Sequence, residues 1–205
     1  MRYMILGLLL GGPLSLYDLH KRFTAGMAQF YSGSIGGIRR ALTQLVVAGW
    51  ATVEDAEDGR RGKREYTITP EGKQAWREWM QAPLPPSSDS ETMILAKVFL
   101  LGWLPEDERV VTIQALHDRV SEDAKDIDAL LQSVDSNDIA ADERDVFDFQ
   151  RATLEYGAHA HRLLGDWLAA LETPGSVGAA AARASVQQNS SSSAAVADSM
   201  QTASR

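Results

Sequence analysis

The sequence predicts a mainly α-helical protein with one small β-hairpin. Two amphipathic helices separated by a Gly/Ser-rich turn occupy residues 15–48, and two short strands joined by a basic link follow them. Beyond residue 105, apolar residues recur at steps of three and four over two long segments, as in helices that pack along their length. We therefore expect an N-terminal helix-turn-helix with a β-hairpin, and a C-terminal, coiled-coil-like helical region.

Three helices are predicted in the N-terminal half. The first covers residues 2–10 and ends before a Gly-Gly-Pro break. The second runs from its cap, Ser15, to about Ala25, and Ser34 opens the third, which ends near Ala48. The spacing predicts that one face of the third helix is buried, and this face contains Ile35, Ile38, Leu42, Leu45 and Gly49. Gly49 also suits the end of the helix.

A hairpin and a fourth helix come next. Residues 50–53 and 64–68 have the pattern of strands, and the polar link 55–63 contains two glycines, as a hairpin tip does. Thr69 is placed to cap the following helix, with Pro70 at its first position.

A proline-rich segment, Pro83-Leu-Pro-Pro86, predicts the boundary between the two halves. The expected domains are a helix-turn-helix domain at 1–82, a linker at 83–91, a helical domain at 92–172 and a tail at 173–205. The tail holds 9 Ala and 8 Ser and no aromatic residue. Such a segment buries too little apolar surface to offset its ordering entropy, so we expect it to be disordered.

Two long helices, about 105–134 and 139–172, are predicted within the helical domain, after a short helix at 92–101. Their apolar stripes are broad and require burial against other helices. We therefore predict self-association, through an interface formed by Ile113, Leu116, Val120, Ile127, Phe149, Tyr156, Leu163 and Trp167.

Composition excludes several classes of chemistry. The chain has no cysteine, which removes disulfides, thiolate metal sites and cysteine nucleophiles. The net charge of −8 is unevenly distributed, because residues 1–80 carry a balance of +3 and the remainder carries −11. Such asymmetry is expected when only one part of a protein contacts phosphate.

The third helix and the hairpin carry the residues that fit DNA. Small residues in the first helical turn allow close backbone approach, and an arginine can donate two hydrogen bonds to guanine. Cations at a hairpin tip fit a DNA backbone or a minor groove. The predicted DNA-binding residues are Ser34, Gly36, Gly37, Arg39, Arg40, Thr43, Arg60, Arg61, Lys63 and Arg64. The alternatives are solvated surface arginines and a solubilising turn.

Other residues give weaker signals. Core or dimer packing is the expected role of most aromatic residues, and Trp103 and Trp167 are the candidates for binding an effector. His159 and His161 are two apart and do not share a helix face, so no metal site is predicted. No catalytic signature and no cofactor motif is present. The apolar run at residues 4–10 is too short for a membrane span, so we expect a cytoplasmic protein without membrane contact.

The chain resembles the PadR family of bacterial transcriptional regulators, which have a winged helix-turn-helix. The similar stretches are Ile5-Leu-Gly-Leu-Leu9, Gly12-Pro13, Tyr17-Asp-Leu19, Gly37-Ile38, Ala41-Leu42, Leu45, Gly49, Tyr66-Thr-Ile-Thr-Pro-Glu-Gly72 and Lys97-Val-Phe99. Arg39 stands where the family often has a tyrosine, which implies a different operator preference. The resemblance implies a homodimer that represses target genes until a small molecule, such as a phenolic acid or a planar drug, binds.

We therefore expect a dimeric, sequence-specific DNA-binding transcriptional regulator. A dimer presents two recognition helices to successive major grooves, so a palindromic operator in double-stranded DNA is the corollary. The alternative is a helical protein-interaction adaptor whose winged domain does not bind DNA, which the −11 balance of residues 81–205 favours.

Overall fold

A computed structural model describes residues 1–26, 33–55, 64–87, 89–135, 139–140 and 142–172. The helices are α1 (Arg2–Leu9), α2 (Leu16–Gly26), α3 (Ile35–Val47), α4 (Pro70–Gln81), α5 (Ser90–Leu100), α6 (Glu106–Asp135) and α7 (Arg144–Leu171). The strands are β1 (Leu14–Ser15), β2 (Ala51–Asp55) and β3 (Arg64–Ile68), and a 3-10 turn, Leu101–Trp103, follows α5. The predicted mainly α fold with a small β element is therefore confirmed. The predicted hairpin tip and the predicted tail at 173–205 lie outside the described residues.

The chain divides into two compact units, Met1–Thr112 and Ile113–Arg205, with the division inside α6. We call them the N-terminal and C-terminal units. The predicted domain boundaries, with a linker at 83–91, stay a prediction. No helix in the ranges given above is long and apolar enough to cross a membrane.

Helix α1 lies in the core of the N-terminal unit. Its residues from Met4 to Leu9 are all buried, and it packs against α3, α4 and α5. Gly7 permits this packing, because a Cβ there would lie 2.5 Å from Leu100 Cδ1 and 2.9 Å from Trp76 Nε1. Each fully buried leucine or isoleucine of this core contributes about 1.5–3 kcal/mol to folding. The four helices are therefore held together by one apolar centre.

The sheet has the order β1-β3-β2, and both pairings are antiparallel. Strand β1 was not predicted, because two residues are too short to show a strand periodicity. Ser15 of β1 also caps α2, as predicted: its hydroxyl accepts from the Asp18 backbone N–H at 3.2 Å and donates to Asp18 Oδ2 at 2.6 Å. Ser15 therefore fixes the start of α2 relative to the sheet.

The end of α3 is tied to the start of α4. Gly49 has a φ of 73°, which suits glycine and ends α3. The Thr69 hydroxyl donates to the Gly49 carbonyl at 2.7 Å and accepts from the Gly72 N–H at 3.0 Å. The Trp50 carbonyl accepts from the Thr69 N–H, and a Cβ on Gly72 would lie 2.1 Å from that carbonyl oxygen. Only glycine allows α4 to approach so closely.

Three aromatic rings form what we call the aromatic stack: Trp50, Tyr3 and Trp79. Tyr3 stacks on Trp79 with ring centroids 5.2 Å apart and an interplanar angle of 5°, and it lies 6.0 Å from Trp50. Cations lie over both outer rings, Arg2 at 5.8 Å from the Trp50 centroid and Lys97 at 5.5 Å from that of Trp79. The stack connects α1, α4 and the short segment between α3 and β2, which contains Trp50.

Lys97 is the largest charged side chain buried in the N-terminal unit among the residues described, with 1% of its surface exposed. Its Nζ donates to the Ala82 carbonyl at the end of α4, at 2.6 Å. Burial lowers the pKa of Lys97 from 10.5 to about 8, because the ammonium loses hydration. The lysine therefore stabilises the contact between α4 and α5 at the cost of desolvating a charge.

Ion pairs connect α6 and α7 within the C-terminal unit. Arg151 of α7 donates to both carboxylate oxygens of Asp135, and this lowers the pKa of that carboxyl. Arg162 donates to Asp128 at 2.7 Å. Asp123 forms an ion pair with Arg119 on the same helix. The two pairs between α6 and α7 are partly exposed and contribute little stability individually, so they align the helices rather than hold them.

Lys97→Met removes one titrating group, so a comparison of wild type and variant shows how the titration of Lys97 affects stability. Between pH 8 and 10.5 the unfolded chain binds a proton at Lys97 that the folded chain does not, so rising pH stabilises the wild type. The variant lacks this effect. We expect the free energy of unfolding of the wild type, relative to Lys97→Met, to rise by about 3 kcal/mol over this interval, measured by urea denaturation. Lys73→Met, at an exposed position of α4, is the control, and a difference that is flat with pH would contradict the prediction.

Candidate nucleic-acid interface

The start of α3 has an exposed cap. Ser34 has extended backbone angles, and its hydroxyl accepts from the Gly37 N–H at 3.1 Å, which confirms the predicted cap. Gly36 has no heavy atom within 4 Å of the place where a Cβ would stand, so its small size serves no internal packing. The bare backbone of this turn is therefore accessible to a large partner.

The two faces of α3 are sharply different. Ile38, Leu42 and Leu45 are completely buried, whereas the side chains of Arg39, Arg40, Thr43 and Val47 are exposed. Ile35 was predicted on the buried face and is instead 46% exposed. Ile35 is the first residue of α3 and lies at the edge of the apolar core. The core covers Ile38, one turn later, but does not reach Ile35.

Arg39 and Arg40 are not engaged with carboxylates. In the part of the chain that the structure describes, neither guanidinium forms an ion pair or a side-chain hydrogen bond. By contrast, three other arginines, Arg119, Arg151 and Arg162, each bind an Asp. The two α3 arginines therefore keep their donors available for an external acceptor.

Thr43 lies beside these arginines. Its hydroxyl donates to the Arg39 carbonyl at 3.1 Å, so only its acceptor lone pairs and its methyl group remain for a partner. A methyl group of this kind suits contact with thymine.

The hairpin contributes one described cation. Arg64 is the first residue of β3 and is exposed, opposite Asp55. The next pair in the register, Glu54 and Glu65, places two acidic residues opposite each other. The hairpin strands alone therefore give no basic surface. The predicted tip cations, Arg60, Arg61 and Lys63, lie outside the described residues.

Helix α2 also has exposed side chains, which the sequence did not indicate as candidates for binding DNA. Tyr17, expected to pack in a core or a dimer, is 72% exposed in the first turn of α2. Lys21 is exposed four residues later, on the same side of the helix. A polar, exposed face on the first helix of a helix-turn-helix is the only signal that points to them.

The predicted dimer residues fall into two groups. Ile113, Leu116 and Val120 are 4%, 2% and 1% exposed in the single chain, so they are not available to a partner. Phe149, Tyr156 and Leu163 of α7 are between 68% and 78% exposed, while Ile127 and Trp167 are half-buried. The heptad pattern of α6 predicts that one face is covered, but the pattern alone does not say whether the same chain or a second copy covers that face.

The predicted effector residues lie in different units. Trp103, in the 3-10 turn, is 52% exposed, and Trp167 is half-buried on α7. A Cβ on Gly11 would lie 3.3 Å from the Trp103 ring and 3.6 Å from Arg22 Nη1, so a cation and an exposed indole are close together. Among the residues described, no group of three or more His, Asp or Glu is placed to hold a metal ion.

No family model matches the chain. A curated relative, the negative transcriptional regulator PadR of Bacillus subtilis strain 168, is 32% identical over 111 residues, which is 53% of this chain. The chain covers 60% of that relative's length. This match confirms the resemblance to PadR regulators.

Solved structures superpose less closely. Bacillus subtilis PadR in complex with operator DNA is 22% identical, with 83% of this chain and 96% of that chain covered and a TM-score of 0.41. The PadR-like regulator BC1756 from Bacillus cereus is 24% identical, with 83% and 99% covered and a TM-score of 0.36. The protein smu.1604c of Streptococcus mutans UA159 is 24% identical, with 82% and 95% covered and a TM-score of 0.38. Superpositions at these scores are partial.

Removing the cap of α3 tests its local stability. Ser34→Ala loses the hydrogen bond to Gly37 and should lower the free energy of unfolding by about 1 kcal/mol, whereas Ser34→Gly should cost only a few tenths. Chemical denaturation of both variants measures this, with Gln44→Ala, at an exposed site on the same helix, as the control. Equal stability of Ser34→Ala and wild type would show that the cap contributes nothing.

Proposed function

We propose that the protein is a dimeric, sequence-specific DNA-binding transcriptional regulator of the PadR type. The observation that carries this proposal is α3, which buries one face completely and on the other presents Arg39 and Arg40, neither of which binds a carboxylate of the described residues. The curated relative, named a negative transcriptional regulator, supports repression as the direction of control. A regulator of chromosomal DNA acts in the bacterial cytoplasm, which we therefore propose as its location.

The proposed contacts divide between base readout and positioning. A major groove admits one α-helix, and an arginine there can donate to guanine O6 and N7 together. We assign this role to Arg40, which lies on the middle of the exposed face, with Arg39 and Thr43 beside it. The open turn at Gly36 and the exposed Arg64 are suited to phosphate.

A second copy of the chain is the proposed partner of α7. Val146, Phe149, Tyr156 and Leu163 recur along this helix at heptad spacing and are each at least 60% exposed in the single chain. A repeated apolar stripe of this length is costly in water and typical of a helix that pairs with another. Two-fold pairing gives two copies of α3 and hence a palindromic operator.

The proposed effector is a small aromatic molecule, as the resemblance implies. The exposed Trp103 ring offers a stacking surface, and Arg22 near Gly11 offers a cation for a carboxylate. Trp167 stays a second candidate on α7. An effector acts on DNA binding only if it prefers one conformation of the protein over another.

One observation favours the alternative, an adaptor that does not bind DNA. The two hairpin strands carry Glu54, Asp55 and Glu65 against the single cation Arg64. A phosphate-binding surface shows a steep fall of affinity with salt, whereas an adaptor shows no DNA affinity to lose. Selection of duplexes from a random pool, followed by titration of the enriched duplex at several salt concentrations, separates the two functions. Failure to enrich any sequence would reject the proposed function.

Arg40→Ala tests the base contact. Loss of a bidentate arginine should weaken binding to the enriched duplex by about 1–3 kcal/mol and should relax the sequence preference at one base pair. Fluorescence anisotropy with the enriched and singly substituted duplexes measures both effects. Arg144→Ala, at an exposed arginine of α7, is the matched control. Unchanged specific binding by Arg40→Ala would remove Arg40 from the recognition surface.

Phe149→Glu tests the α7 interface. A charge in the centre of an apolar stripe cannot be hydrated once two copies pair, so the variant should be monomeric at concentrations where the wild type is dimeric. Sedimentation equilibrium measures this. Val111→Glu, at a residue 67% exposed in the N-terminal unit, should leave the dimer intact. A Phe149→Glu variant that dimerises like the wild type would place the interface elsewhere.

A further inference from the structure

A continuous set of contacts leads from α5 to the end of α3. Lys97 of α5 donates to the Ala82 carbonyl and lies over the ring of Trp79. Trp79 stacks on Tyr3, which in turn lies against Trp50. All of these residues belong to the N-terminal unit.

The last ring of the aromatic stack is bound to α3 itself. The Trp50 N–H donates to the Leu45 carbonyl at 2.9 Å, which closes the last turn of α3. The Trp50 carbonyl accepts from the Thr69 N–H at 3.1 Å and contacts Gly72 of α4. Any displacement of Trp50 therefore changes the position of the C-terminal end of α3.

At the α5 end of these contacts stands Lys97, and apolar packing alone does not explain why a lysine occupies this position. Burying an ammonium is unfavourable unless it is well hydrogen-bonded, and methionine has a similar length without that cost. A hydrogen bond is directional, however, so Lys97 fixes where the Ala82 carbonyl lies relative to α5. A methionine would fill the same space and let α4 slide.

The contacts begin at Lys97 of α5, and the proposed effector residue Trp103 follows closely after this helix in the sequence. Phe99, two residues after Lys97, is 46% exposed and would lie 3.1 Å from a Cβ on Gly26 of α2. Trp103 follows in the 3-10 turn that continues α5. A ligand that displaces this segment therefore also displaces Lys97.

We infer that Lys97 is a positioning residue for DNA binding, which through the aromatic stack fixes the position of α3, so that a shift of α5 changes the affinity of α3 for DNA. This inference rests on the proposed function and adds the route by which an effector at α5 acts on the recognition helix. Lys97 has no contact with DNA in this arrangement; it acts through Trp79, Tyr3 and Trp50.

The test uses full-length variants and the enriched duplex. Lys97→Met should lower DNA affinity about 3- to 30-fold, the range found for residues that couple distant sites. Lys97→Arg keeps a cation and a donor and should retain most of the affinity. Tyr3→Leu breaks the stack but leaves the bond between Lys97 and Ala82, and should give a similar loss. Arg109→Met, which removes a cation bound to the Leu104 carbonyl outside the stack, is the matched control.

The double variant Lys97→Met, Tyr3→Leu distinguishes one route from two separate defects. If both residues act through the same contacts, the combined loss is smaller than the product of the single losses. Losses that multiply would overturn the inference. So would wild-type affinity in Lys97→Met.

Hydrogen exchange gives a readout that does not depend on DNA. In Lys97→Met, the amides from Leu45 to Trp50 at the end of α3 should exchange faster, while those of α2 stay as in the wild type. A uniform change in all helices would show a structural role only and overturn the inference. A wild type that binds no duplex, with α3 exchange still dependent on Lys97, would instead reject the proposed DNA function and leave the contact route standing.

Discussion

The burial of one face of α3 is the constraint on which the candidate interface depends. Ile38, Leu42 and Leu45 have no exposed surface, and α3 packs against α1 and α2. Turning the helix by one residue would expose side chains that each contribute about 1.5–3 kcal/mol when buried. The outward direction of Arg39 and Arg40 is therefore a consequence of the core.

The rigidity of this surface comes from the contacts at the end of α3. Gly49 ends the helix, and Thr69 binds both Gly49 and Gly72, so the helix, the hairpin and α4 meet at one point. A ring stack and a buried lysine then connect this point to α5. Side chains that make directional contacts from a short helix need such support, because a small error in position weakens a directional contact.

Local sequence was sufficient where the determining physics is local. The caps Ser15, Ser34 and Thr69 were predicted because a side-chain oxygen and an amide three residues away need no other part of the chain. Prediction failed where the determinant is remote. The two residues of β1 are a strand only because β3 lies beside them, and Ile35 is exposed only because the core ends before it.

The sequence by itself determined the order of helices, the hairpin strands, the exposed face of α3 and the absence of cysteine chemistry, since these follow from spacing, capping and composition. Only the tertiary structure decided which arginines bind a carboxylate among the described residues, that Ile113, Leu116 and Val120 are buried within the single chain, and that Lys97 lies over a ring of the aromatic stack. The physical reason is that pairing and burial depend on distances between residues remote in sequence. A periodic apolar pattern predicts that one face of a helix is buried, but it does not identify the residues that pack against that face.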